Sequence, residues 1–138
     1  MSVILKYSEE LQKDMYIDEL NVTQVAYSLP AIKHKWVSRL IEAKLKIKNL
    51  EKQKKEFKEK TFLKIKNETS TNHLKLSSIA IERSVDGDEN YKNFIYQIDD
   101  SIEDIKLIIL YLEKVENIFK NMTYDIKNIV DLNRLETT

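Results

Sequence analysis

A chain of 138 residues with one glycine, one proline and 33% charged residues has too few turn residues for a sandwich or barrel and reads as a single, mainly α domain. It has no cysteine, which excludes a disulfide frame, a thiol nucleophile and a thiolate metal site, and favours a cytoplasmic setting. The formal net charge is zero, yet residues 33–66 hold thirteen Lys and Arg against four Glu, a local +9 that the rest of the chain offsets with −9. Asymmetry of this size points to a polyanion-facing surface on one segment.

Residues 1–30 read as an N-terminal arm with a short helix from Ser8 to about Asp14, where Ser8 is the N-cap and Glu9 and Glu10 favour the first turn. The apolar run after Ser2 is too short for a secretory segment. "MYIDELNVTQVAYSLP" lacks clear periodicity and reads as extended or loosely helical, with a boundary at Leu29 because Pro30 disfavours the helical region before it. Pro30 suits the first position of the next helix.

Residues 31–66 read as a long basic helix. Trp36, Leu40, Ala43, Ile47, Leu50 and Phe57 fall at alternating spacings of four and three, with one step skipped at Lys54, and form a heptad-like seam. Residues 67–92 read as a loop region. In it Leu74, Leu76, Ile79 and Ile81 recur at about a period of two, which leaves a short extended segment open, and Gly87 marks an Asp-Gly turn. Residues 93–138 read as a C-terminal helix, with a break near "KNMTYD" left open. Its seam includes Ile105, Ile109, Leu112, Phe119, Ile126, Ile129 and Leu132, more apolar surface than the basic helix alone covers. Self-association through these residues is the economical answer. The longest apolar run, Leu107 to Leu112, is far short of a membrane span.

No constellation for catalysis is present. His34 and His73 lack a carboxylate or second His at metal-ligand spacing. The acidic cluster Asp99 to Asp104 spreads around a helix and reads as a solvated first turn. The lysine run is the feature with a direction. Eight lysines lie between Lys48 and Lys66. Glu42–Lys46, Glu51–Lys55 and Glu56–Lys60 are favourable pairs, but Lys44–Lys48, Lys48–Lys52, Lys54–Lys58 and Lys60–Lys64 repel at the same spacing, by about a few tenths of a kcal/mol each. A phosphate backbone relieves that repulsion. The candidate contacts are Lys35, Arg39, Lys48, Lys52, Lys54, Lys55, Lys58, Lys60 and Lys64. Trp36, Phe57 and Phe62 are interleaved with them, with core packing favoured over base stacking. The competing reading is a coiled-coil adaptor whose lysines bind an acidic partner helix.

Four stretches carry a resemblance to the UvsY-like family of phage recombination mediators. "SEELQKDMYID" (Ser8 to Asp18) is similar to the family's acidic opening, and "SLPAIKHKW" (Ser28 to Trp36) to the proline-containing start of its long helix. "LEKQKK" (Leu50 to Lys55) resembles its Glu-x-Gln-Lys-Lys run, and "YDIKNIVDLNRLE" (Tyr124 to Glu136) its C-terminal segment. The resemblance implies a protein without enzymatic activity or cofactor that binds single-stranded DNA. It implies that the protein helps load a RecA-like recombinase onto strands covered by single-strand-binding protein. It also implies a ring-like homo-oligomer, hexamer or heptamer, supported by the C-terminal helix. No membrane partner is expected, because the Lys-dense half of the basic helix keeps too few Leu, Phe or Trp opposite its lysines to lie on a membrane. The chain departs from the family where the latter's Lys-x-Arg pair falls on Glu59 and Thr61; Lys58, Lys60 and Lys64 are the nearest cations.

Overall fold

The computed structural model describes residues 2–71 and 77–137, and among these every regular element is helical. The elements are α1 (Val3–Asp14), α2 (Val22–Thr71), α3 (Ser78–Gly87) and α4 (Glu89–Thr137). They form two compact units, one from the residues up to Lys44 together with those from Leu107 on, the other from Leu45–Lys106.

The first unit contains α1, the start of α2 and the C-terminal part of α4. Its core is built on two seams. Leu29, Trp36, Leu40 and Ala43 of α2 face Leu112, Val115, Phe119, Met122 and Ile126 of α4, and all are buried. The α4 residues alternate at spacings of three and four, which keeps one stripe turned inward along a 3.6-residue helix. Trp36 is only 1% exposed and Phe119 2%; their ring centroids lie 6.5 Å apart. Tyr7 of α1 meets Trp36 edge-on at 5.5 Å.

The second unit contains the lysine-rich part of α2, α3 and the start of α4. Ile81 and Val85, one turn apart on α3, are buried, as are Ile98 and Ile102 of α4. Thr61 of α2 is buried with them.

Several boundaries differ from the sequence expectation. The first helix begins at Val3, not Ser8, because Ser2 caps it: its Oγ accepts from the Leu5 N–H at 3.3 Å. Residues 15–21 form a tight turn, not an extended arm. Asp18 Oδ1 accepts from the N–H groups of Leu20 and Asn21, Asn21 Oδ1 accepts from the Asp18 N–H, and the Tyr16 hydroxyl donates to Asp18 Oδ2. Helix α2 then starts at Val22 and runs through Pro30. An interior proline costs a helix about 3 kcal/mol, but Val22 and Leu29 are buried on the helical stripe, and packing of that size outweighs it.

The loop expected at 67–92 is largely helical. Helix α2 continues to Thr71. Ser77 caps α3 by accepting from the Ala80 N–H at 3.2 Å, so Ile79 and Ile81 belong to a helix; Leu74 and Leu76 lie outside the described residues. Gly87 ends α3, and Asp88 alone joins α3 to α4. Its N–H donates to the Val85 carbonyl and its Oδ1 accepts from the Tyr91 N–H. Helix α4 continues unbroken through "KNMTYD", where the Thr123 hydroxyl donates back to the Phe119 carbonyl at 3.1 Å.

Candidate nucleic-acid interface

Between Leu45 and Thr71, α2 carries nine lysines and four glutamates. Lys, Glu and Gln are good helix formers, so the segment stays helical although few of its side chains are buried. Lys48, Lys52 and Lys55 recur at i, i+4 and i+7 and line one exposed strip with Leu45, Asn49 and the carboxylate of Glu51. Glu59 follows one turn later on the same strip and interrupts it. Lys58, Lys60 and Lys64 are also exposed. Among the described residues, Lys48, Lys55, Lys58, Lys60 and Lys64 have no carboxylate within ion-pair distance. Lys52 approaches Glu56 at 4.0 Å with both side chains largely in water, a contact worth at most about 1 kcal/mol.

Three expected cations are engaged within the chain. Lys54 occupies the skipped step of the α2 seam, and its Nζ donates to Asp99 Oδ1 of α4 at 2.8 Å. Asp99 is therefore the anchor of an ion pair in the second unit. Lys54→Ala is expected to leave the salt dependence of oligonucleotide binding unchanged. Lys55→Ala is expected to flatten it by about 0.7 in the log–log slope, the release expected for one phosphate contact on a single strand. Anisotropy titrations at several salt concentrations read both.

Lys35 and Arg39, one turn apart in the first unit, face Glu10 and Asp14, one turn apart on α1. Arg39 grips Glu10 with two parallel bonds, Nη1 to Oε2 at 2.7 Å and Nη2 to Oε1 at 3.1 Å. Lys35 Nζ donates to Glu10 Oε1 at 2.8 Å and also to Asp14 Oδ2. The Trp36 indole N–H donates to the same Asp14 oxygen at 2.9 Å. The Arg39 guanidinium also lies 4.8 Å from the ring centres of Tyr7 and Trp36. These contacts tie α1 to α2 and occupy both cations. Two oppositely charged i, i+4 pairs were the sequence signal for this match, which the reading of Glu10 as a first-turn residue missed.

The hydrogen bonds from Arg39 and then Lys35 hold the Glu10 carboxyl far below its ordinary range, at about 2. A depressed carboxyl stabilises the fold at pH above its unfolded value near 4.5, and that contribution is lost as pH falls towards about 2. Glu10→Gln is expected to lower the unfolding midpoint at pH 7 and to narrow its gap from the parent through this window. Parallel thermal melts between pH 7 and pH 2 measure it.

The residues expected to mediate assembly divide into two sets. Leu112, Phe119 and Ile126 are buried in the first unit's own core, because α1 and α2 together cover that stripe; they present no surface to a second copy. Ile105, Ile109 and Ile129 are half-buried, and Leu132 is 59% exposed. Leu107, Leu110 and Leu135 of α4 are exposed too, and sequence periodicity missed them because they lie off the inward stripe. Of the two positions matched to the Lys-x-Arg pair, Glu59 is exposed and Thr61 faces the core, which leaves no room for a solvated cation at the second.

His34 lies on the surface of α2, its Nδ1 3.4 Å from the Ser38 hydroxyl. Among the described residues no group of three or more His, Asp or Glu is placed to hold a metal ion. No helix among them is long and apolar enough to cross a membrane.

The family described as "Recombination, repair and ssDNA binding protein UvsY" matches residues 10–138. Two crystal structures of the bacteriophage T4 recombination mediator protein UvsY share the fold. The lattice type II structure superposes with a TM-score of 0.69 at 19% identity, covering 100% of this chain and 99% of that one. The lattice type IV structure gives 0.67 at 18% identity, with 96% and 98% covered. No curated protein sequence matches the chain.

Proposed function

Because this chain belongs to the UvsY family of recombination, repair and single-stranded-DNA-binding proteins, we propose that it is a non-enzymatic recombination mediator. It binds single-stranded DNA and promotes loading of a RecA-like recombinase onto strands covered by single-strand-binding protein, in the cytoplasm of a phage-infected host. The observation that supports this most is the exposed strip of Lys48, Lys52 and Lys55, with Lys58, Lys60 and Lys64 around it, on a helix whose repulsions a phosphate backbone relieves.

Lysines are point charges that hold phosphate without reading sequence. One helix of this kind binds weakly. Several copies, joined through the exposed apolar residues of α4, gain avidity because each later contact forms at high effective concentration. A ring of six or seven copies would bend a strand around it, keeping the strand accessible while one protein replaces the other. The mediator step is tested by adding labelled recombinase to a strand already coated with single-strand-binding protein. Faster loading in the presence of this chain supports the reading; an unchanged loading rate contradicts it.

A further inference from the structure

The second unit holds three aromatic rings that are not closed off in a core. Phe57 of α2 stacks on Phe94 of α4 with centroids 4.1 Å apart and planes 20° from parallel. Tyr91, one turn before Phe94, lies nearly parallel to Phe57, 6.1 Å away and tilted by 11°. All three are half-buried, unlike Trp36 and Phe119, whose faces are closed by the first unit. Phe57 and Phe94 open into a small groove of about 230 Å³ that is completed by Gln53, Glu56 and Lys60. That is below the range of a drug-sized pocket and suits one planar group.

The surroundings fit a nucleotide. Lys60 and Lys64 follow Phe57 by three and seven residues and so share its side of α2; both are exposed. Gln53, one turn before Phe57, offers an amide that can donate to and accept from a base edge. Glu56 is the one anionic group on the rim, and its carboxylate lies towards Lys52 on the other side, 4.0 Å away. A base held against an aromatic face, with its phosphates on neighbouring cations, is the usual way proteins hold single strands without reading sequence.

We propose that the Phe57–Phe94 stack, extended by Tyr91, is a nucleobase-stacking platform, with Lys60 and Lys64 holding the adjoining phosphates. This rests on the single-strand-binding reading and adds what it lacks: a reason to prefer single strands, since a duplex keeps its bases stacked on one another. The lysine strip alone would hold either.

The test compares an oligo-dT strand with an abasic strand of the same length and phosphate count, by anisotropy over a salt series. The parent protein is expected to bind oligo-dT about tenfold or more tighter than the abasic strand. Phe57→Leu and Phe94→Leu, which keep an apolar side chain at the contact, should each erase most of that preference. Abasic binding and the salt slope should stay unchanged. Equal affinity of the parent for both strands overturns the platform and leaves the phosphate reading standing; this arm needs no variant to fold. A base preference that survives in both variants also overturns it. Binding to neither strand overturns the platform and the single-strand reading together.

Discussion

Replacing Lys48, Lys52 and Lys55 together with alanine is expected to weaken single-strand binding about tenfold to hundredfold at low salt and to flatten the salt slope by about two. The slope follows from three lost phosphate contacts at about 0.7 released counterions each. The affinity loss follows from about 0.5–1 kcal/mol for each exposed charge contact. The loss should be the same on every sequence, because these lysines carry no base code. Helix stability should not fall. The lost Glu51–Lys55 and Lys52–Glu56 attractions are offset by the removed Lys44–Lys48 and Lys48–Lys52 repulsions and by introducing the best helix former, so circular dichroism melts separate lost binding from lost folding. The opposite change, Glu59→Lys, continues the strip by one turn and is expected to steepen the slope.

The largest stability effect is expected at Trp36. Its side chain is 1% exposed, is flanked by the rings of Tyr7 and Phe119, and donates its indole N–H to Asp14. Trp36→Ala should cost about 3–5 kcal/mol, a large share of the 5–15 kcal/mol by which a domain is stable. Two terms add in that figure: the lost apolar burial, and the cavity between α1, α2 and α4. Trp36→Phe refills much of the space but removes the donor. It should cost less, about 1–2 kcal/mol for the lost hydrogen bond and the smaller ring. Urea unfolding of the two variants measures both values. Equal losses would mean that the hydrogen bond and not the packing dominates.

Much of the fold was legible because α4 carries its burial pattern in its spacing. Leu112, Phe119 and Ile126 could be placed on one face from periodicity, and that face is inside the first unit. What the spacing cannot show is that α1 and α2 cover it, so spacing alone points the same residues to contacts between copies. The start of α2 was missed because proline chemistry is local, whereas the burial of Val22 and Leu29 that overrides it is tertiary. Over 78–87 the apolar residues Ile79 and Ile81 fit a period of two, which points to an extended segment. The pair that matters, Ile81 and Val85, fits a helix.

The candidate site was legible as composition but not as geometry. An exposed lysine and an engaged one look alike in sequence when the partner is distant. Lys54 meets Asp99 45 residues away, Lys35 meets Glu10 25 residues away, and Arg39 meets the same Glu10 across 29. The aromatic stack was hidden for the same reason, since Phe57 reads as one more seam residue until Phe94 and Tyr91 are beside it.

On the proposed reading, the lysine-rich part of α2 holds the phosphate backbone of a single strand. Anisotropy of a labelled oligo-dT strand, titrated with this protein at several salt concentrations beside a matched duplex, tests it most directly. Tight binding that falls steeply with salt, with a slope reporting several cations, is expected; a preference for the single strand over the duplex is what the Phe57–Phe94 stack would add. Failure to bind at low salt would contradict the reading and make the lysine face a solvated or protein-facing surface.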